Sequence, residues 1–155
     1  RMMYVSQDVS VGRALLTVLS VICLTSCSRD PGLHPDDVLR LELGLGDRDQ
    51  VHRVVIRGGD RESADPLETV VTSGSYVEFV TADWLVHEIV FELDSLSIAA
   101  RTFLERTDQV ASPPLISQDS RYVVHFADGP PGRYPFVLEG NGAPGRGVVV
   151  VEAGP

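Results

Sequence analysis

Short valine-rich segments, separated by glycine, aspartate and proline, constrain the fold of this chain more than any other feature of its sequence. Short strands that recur at regular spacing with turn residues between them are typical of an all-β sandwich or barrel. Seven segments are predicted strands: Gln50–Arg57, Leu67–Thr72, Tyr76–Thr81, His87–Leu93, Arg121–Phe126, Arg133–Glu139 and Gly147–Glu152. The sequence therefore predicts an all-β fold.

One short helix is predicted among the strands, around residues 95–106. Apolar residues with helical spacing form one face of this segment. They are Leu96, Ala99, Ala100, Phe103 and Leu104. Asp94 or Ser95 would cap the start of the helix, which we expect to cover part of the sandwich. A further segment, Val38–Leu45, fits either an edge strand or a short helical turn.

Alternation along the strands predicts which side chains face the core, because successive residues point to opposite faces of a sheet. On this basis His87 and Leu138 lie on core faces near the ends of their strands. Glu139 and His125 point outward.

Residues 1–26 are predicted to be a targeting segment. The apolar run from Ala14 to Leu24 is too short to span a bilayer, which needs about 20 residues, and has the length of a secretory signal core. It ends in Leu24-Thr25-Ser26-Cys27, which resembles a bacterial lipobox. An ordinary secretory signal or a buried N-terminal helix are the alternatives.

The lipobox resemblance implies a lipoprotein signal peptide over residues 1–26, a lipidated Cys27 and a polar tether over 27–37, followed by the domain 38–155. It places the chain in the cell envelope, anchored to the membrane by lipid and facing the periplasm. Ser28 follows the cysteine, and in enteric bacteria an aspartate there retains a lipoprotein in the inner membrane. Ser28 therefore favours the outer membrane.

Charge and cysteine content narrow the possible partners. The formal net charge is −9, which argues against nucleic acid and against a polybasic membrane-docking surface. The chain has two cysteines; Cys23 would leave with the signal and Cys27 would carry lipid, so no disulfide within the domain is expected.

The stretch from Tyr134 to Gly147, together with Trp84-Leu85-Val86-His87, resembles the copper-site end of a cupredoxin. The resemblance extends from about Gln50 to Glu152 and implies a cupredoxin-like Greek-key β-sandwich of about seven or eight strands. An immunoglobulin-like domain is the alternative sandwich.

The copper ligands of that family are largely replaced here. His87 keeps the first ligand position, whereas Leu138 stands at the cysteine position and Asn141 at the second histidine position. Arg146 lies about where the methionine would be. A blue-copper centre needs two histidines and a cysteine thiolate, so the resemblance implies the scaffold without a cofactor.

Trp84, His87, Asn141 and Arg146 form the predicted binding surface. Each has a simpler interpretation. Trp84 could pack over the end of the sandwich, and His87 could hydrogen-bond to backbone at the edge of the core. Asn141, between two glycines, suits a left-handed turn.

Charged and metal-binding roles are the other options at this end. Arg146 could bind an anion or pair with Asp83 or Glu139, and it could equally form a structural ion pair or lie in solvent. Asn141, Glu139 and His87 could form a site for a harder metal, but strand alternation turns Glu139 away from His87.

The sequence thus predicts an envelope-anchored, copper-free lipoprotein that binds or scaffolds a protein partner. The alternative is a periplasmic copper-binding or electron-transfer cupredoxin with a non-standard site around His87, completed by His125, His34 or a second subunit. No enzyme is predicted, because no nucleophile and base have a supporting spacing.

Overall fold

The predicted β-sandwich is confirmed in a computed structural model, which describes residues 37–154. The predicted signal peptide over 1–26, Cys27, Ser28 and His34 lie outside these residues. Two helices and eight strands follow one another in the described part of the chain. They are α1 (Asp37–Leu43), β1 (Val51–Arg57), β2 (Ser63–Asp65), β3 (Glu68–Thr72), β4 (Tyr76–Thr81), β5 (His87–Phe91), α2 (Ile98–Arg106), β6 (Arg121–His125), β7 (Gly132–Gly140) and β8 (Gly145–Glu152).

The strands form two four-stranded sheets. The first has the order β2-β1-β4-β6 and the second the order β3-β8-β7-β5. The β1–β4 and β3–β8 pairs are parallel, and the other pairs are antiparallel. Because β3 lies in the second sheet and β4 in the first, the chain crosses between the sheets and closes one core between them.

The core is apolar and rich in aromatic rings that come from both sheets. Phe79 of the first sheet meets Phe136 of the second edge to face, with ring centroids 5.1 Å apart. Phe126 and Tyr134 pack in the same way at 5.2 Å. Such pairs add about 0.5–1.5 kcal/mol beyond the burial of their area. The predicted inward residues of β7, which are Tyr134, Phe136 and Leu138, are all buried.

The predicted helix is confirmed, and its position follows from its buried side chains. Ala100, Phe103 and Leu104 of α2 are buried in the core. The Phe103 ring stacks on Phe126, with centroids 6.0 Å apart. Tyr134 lies near the start of β7, whereas His87 pairs with the last residue of that strand. Helix α2 therefore covers the end of the sandwich opposite His87.

One local prediction needs correction. The cap of α2 is Ser97 and not Asp94 or Ser95, because the hydroxyl of Ser97 accepts a hydrogen bond from Ala100 N at 3.2 Å while residues 93–95 form a separate 3-10 turn. Strand β2 was not predicted, since three residues are too few for a pattern to be recognised. Of the two alternatives for the segment 38–45 the helical one is correct, because α1 covers Asp37–Leu43.

Glycine determines where α1 ends. Gly44 has φ of +64°, and Leu45 N donates to Arg40 O at 3.0 Å, so the last turn closes in the Schellman manner. A strand would need none of these features.

Candidate functional site

His87 begins β5 and points into the core at the end of the sandwich. Its backbone is paired on both sides, opposite Gly140 of β7 and with Leu115, which accepts from His87 N at 2.9 Å and donates to His87 O at 2.8 Å. The side chain is 0% exposed. The predicted inward orientation of His87 is confirmed.

The ring of His87 lies between two carboxylates. Nδ1 is 2.7 Å from Oε2 of Glu62, and Nε2 is 2.7 Å from Oδ1 of Asp83. We call these three residues the carboxylate–histidine–carboxylate triad. The expected hydrogen bond from the ring to backbone is therefore wrong: both ring nitrogens have acidic side chains as partners.

Glu62 is the member of the triad that the sequence did not indicate. It lies in the loop between β1 and β2 and is fully buried. Its backbone joins the loop after β7, because Glu62 N donates to Ala143 O at 2.9 Å and Ala143 N donates to Asp60 O at 2.9 Å. Oε1 of Glu62 accepts from Gly142 N at 3.3 Å. The carboxylate thus lies between His87 and the loop over residues 140–145.

The glycines of that loop allow the close approach of Glu62. A Cβ at Gly140 would overlap the Glu62 carboxylate, and a Cβ at Gly145 would overlap the Glu62 backbone carbonyl. Among the described residues, positive φ angles occur at other positions and at none between 139 and 147. The left-handed turn expected around Asn141 is therefore wrong, and these glycines serve contact instead of turn geometry.

Asp83 completes the triad from the loop before β5. Its Oδ2 accepts from Gly58 N at 2.8 Å, and its Oδ1 accepts from Leu85 N at 2.9 Å as well as facing His87. Burial acts to raise the pKa of Asp83, but the hydrogen bonds from Gly58, His87 and Leu85 and the charge of His87 together lower this pKa from its ordinary value of 3.8. Asp83 is thus held as a carboxylate.

The lowered pKa predicts how Asp83 contributes to stability as a function of pH. A carboxyl with a lower pKa in the folded than in the unfolded state stabilises the fold when it is ionised. Its contribution should be fully present above about pH 5 and lost as pH falls through its folded pKa, below 3.8. Urea unfolding at a series of pH values should show a stability deficit of Asp83→Asn near neutrality that shrinks in acid.

A matched variant separates this effect from the loss of a negative charge in general. Asp60→Asn removes an exposed carboxylate from the neighbouring loop. If the deficit of Asp83→Asn stayed constant down to about pH 2, or if Asp60→Asn reproduced it, the assignment of the effect to the hydrogen-bonded carboxylate would be wrong.

Arg146 is not brought together with the other predicted surface residues. Trp84 is 74% exposed, and Asn141 is also exposed. Arg146 lies on the outer face of the second sheet opposite Val137, and its guanidinium pairs with Glu92 at 3.3 Å. Arg146 thus forms an exposed structural ion pair, one of its predicted alternatives, and the partner is Glu92 in place of Asp83 or Glu139. Register therefore separates Arg146 from the end at which His87 lies.

An apolar surface next to Trp84 was missed by sequence analysis. Because His87 and Leu115 form an antiparallel bridge, Val86 and Ile116 lie directly opposite each other beside it. Since His87 and Leu115 are buried, their neighbours Val86 and Ile116 face outward, with exposed fractions of 44% and 68%. Trp84, Val86 and Ile116 are called the apolar patch below. Ile116 could have been suspected only from its place beyond Pro113-Pro114.

The residues present do not fit a copper ion. Both ring nitrogens of His87 are hydrogen-bonded to carboxylates, and the two carboxylates lie on opposite sides of the ring, so they cannot converge on one ion. Leu138 is fully buried with no donor atom. Residues 37–154 hold no group of three or more His, Cys, Asp or Glu that could bind a metal.

The further ligands considered for a non-standard site do not converge on His87 either. His125 is the last residue of β6 and stacks on Tyr76, with ring centroids 3.9 Å apart. Tyr76 and His125 pair across the outer face of the first sheet, away from the core face that His87 occupies. His34 lies outside the described residues.

None of the helices within the described part of the chain is long and apolar enough to cross a membrane.

Comparisons with known proteins show no family for this chain. No protein-family model matches this chain, and no curated protein matches it. Among solved structures it is similar to a purple cupredoxin from Nitrosopumilus maritimus, with 18% identity, a TM-score of 0.43, and coverage of 64% of this chain and 98% of that one. It is also similar to the reduced state of a proline-to-phenylalanine variant of amicyanin, with 19% identity, a TM-score of 0.44, and coverage of 79% and 95%. At these identities and TM-scores the likeness assigns neither a family nor a function to this chain.

Proposed function

We propose that this chain is an envelope-anchored lipoprotein whose cupredoxin-like β-sandwich is free of copper and binds or scaffolds a protein partner. The observation that carries the proposal is the apolar patch, whose Val86 and Ile116 flank the bridge between His87 and Leu115. Trp84, Val86 and Ile116 are exposed on one end of the sandwich. Trp is enriched among the residues that dominate binding energy at protein interfaces.

The architecture beneath the patch supports a binding role, because rigid surfaces lose less conformational entropy when a partner binds. Leu85, between the two exposed residues Trp84 and Val86, donates its backbone N–H to Asp83. His87, next to Val86, is held by Leu115 and Gly140 in the backbone and by two carboxylates at the ring. Each segment of the patch is therefore attached to a fixed residue of the core.

The geometry supports neither rival role of this end. Copper chemistry at His87 would need a ring nitrogen that is free to ligate, and both are occupied by hydrogen bonds. A histidine base must contact the group whose proton it removes, and the ring contacts only carboxylates that are already acceptors. Anchoring through Cys27 would hold the domain at the membrane, where a partner in the envelope can reach it.

Site-specific photo-crosslinking in cells tests this function. A crosslinking amino acid at Trp84 or Ile116 of the full chain should capture one protein partner, whereas the same group at Ile98 should not. Ile98 is the matched control, because it is as exposed as Trp84 and lies in α2 at the opposite end of the sandwich. Val86→Ser should weaken the capture at Trp84.

The anchor is tested in the same cells. Cys27→Ser should remove the chain from the membrane fraction and abolish labelling by a fatty-acid probe. Equal crosslinking at Trp84 and Ile98, or capture that Val86→Ser leaves unchanged, would contradict the binding surface. Membrane association that survives Cys27→Ser would contradict the anchor.

A further inference from the structure

We infer that the carboxylate of Glu62 occupies the position of a metal ion at this end of the sandwich, where it holds His87 and the loop over residues 140–145 together. Glu62 closes this end of the sandwich from inside the protein. The inference does not depend on any partner bound by the apolar patch.

The Glu62 carboxylate lies at the position that a metal ion would occupy. The resemblance places metal ligands at 87, 138 and 141, so a metal would have to lie between the start of β5 and the end of β7. The Glu62 carboxylate lies there: it contacts His87 Nδ1 at 2.7 Å and accepts from Gly142 N at 3.3 Å. A Cβ at Gly140 would overlap the carboxylate, which shows how closely it fills the space beside the loop.

The buried carboxylate of Glu62 needs a partner inside the protein. A buried carboxylate is costly unless it is paired and hydrogen-bonded. An ionised carboxylate accepts hydrogen bonds and donates none. With Glu62 on one side of the ring and Asp83 on the other, both nitrogens of His87 are hydrogen-bonded to acidic side chains. His87 and Glu62 thus satisfy each other's hydrogen bonds inside the protein, and neither is left to ligate a metal ion.

The backbone of the neighbouring loop is fitted closely to the Glu62 side chain. Glu62 N donates to Ala143 O, and Arg61 Nη1 donates to Pro144 O at 2.7 Å, so the loop that carries Glu62 is paired with the loop over residues 140–145. Gly140 and Gly145 lack the Cβ atoms that would overlap Glu62. The glutamate and the glycines therefore form one unit, and neither would be required if the site were a remnant with no structural role.

Nuclear magnetic resonance of the histidine rings of the full native chain tests whether both ring nitrogens of His87 are already occupied by hydrogen bonds. The chain has four histidines, and the His87 signals can be assigned by their loss in His87→Gln. We expect the His87 ring signals to stay unchanged when Cu(II) or Zn(II) is added. A shift or broadening of these signals on addition of either metal would overturn the inference.

A metal-binding experiment tests whether Glu62 occupies the position of a metal ion. Two variants are compared in the full chain with Cys23→Ser and Cys27→Ser, so that the introduced thiol is the only one. Both carry Leu138→Cys and Asn141→His, and one of them also carries Glu62→Ala. Co(II) is the probe, because it reports thiolate ligation by its absorption and does not oxidise the thiol.

Only the variant with Glu62→Ala should show stoichiometric Co(II)–thiolate absorption, and the variant that keeps Glu62 should show none. Equal binding by both variants would show that Glu62 does not occupy the metal position, and binding by neither would show that Glu62 is not what blocks it. Because the resonance experiment uses the native chain, failure of either variant to fold leaves that test decisive. Neither experiment involves the apolar patch, so their outcome is distinct from that of the crosslinking.

Discussion

Replacing His87 with leucine should lower the free energy of unfolding by about 3–5 kcal/mol, which is the cost of removing one partner from a buried ion pair. The ring and the Glu62 side chain are both 0% exposed, and among the described residues Nδ1 of His87 is the only side-chain atom in hydrogen-bonding contact with the Glu62 carboxylate. Leucine is similar in size to the ring, so most of the loss arises from the unpaired carboxylate. Urea unfolding at neutral pH measures it.

The double variant Glu62→Leu/His87→Leu is the decisive comparison. When both members of a buried pair become apolar, the penalty for an uncompensated charge disappears, and the result is often close to neutral. We therefore expect the double variant to be more stable than His87→Leu alone. If the two substitutions were simply additive, the coupling between Glu62 and His87 would be absent and the triad would be a coincidence of packing.

The main features of the fold could be predicted because they depend on local patterns. Alternation correctly oriented His87, Leu138 and His125, and helical spacing located α2. The predicted strands agree with the structure to within two residues at their ends, since the ends depend on pairing with neighbours that the pattern does not specify.

The centre of the candidate site could not be predicted, because it depends on contacts between residues that are far apart in the sequence. Glu62 is 25 residues from His87 in the sequence, in a loop with no periodic pattern. Its burial depends on the pairing of two loops, which no local signal encodes. The glycines at 140, 142 and 145 were the one available sign, but glycine suits both turns and close contacts. A choice between these needs the neighbour that the glycine touches.

The triad also fixes the surface beside it. His87 and Glu62 satisfy each other's hydrogen bonds without an ion. Trp84 and Val86 flank a segment held by the Asp83 side chain and by the Leu115 backbone, and both are exposed there. The binding role proposed for this surface rests on that exposed and fixed position.

Replacing Gly140 with alanine should destabilise the protein by about 2–3 kcal/mol, the upper part of the range for overpacking a core. The new Cβ would overlap the Glu62 carboxylate and would lie 2.7 Å from Val86 O. The carboxylate can retreat only by leaving His87, and Val86 O can move only if β5 separates from β7 at the His87–Gly140 pair. Chemical and thermal unfolding both report this loss.

Gly59→Ala is the matched control, because the nearest atom to its Cβ would be Arg61 O at 3.9 Å, an ordinary contact. That substitution should leave stability within about 1 kcal/mol, since alanine also restricts the unfolded chain. Adding Glu62→Ala should make Gly140→Ala less harmful than it is in the native chain, because one of the two overlaps is removed. If Gly140→Ala costs the same with and without Glu62, the glycine is required only by Val86, and the loop is not built around the glutamate.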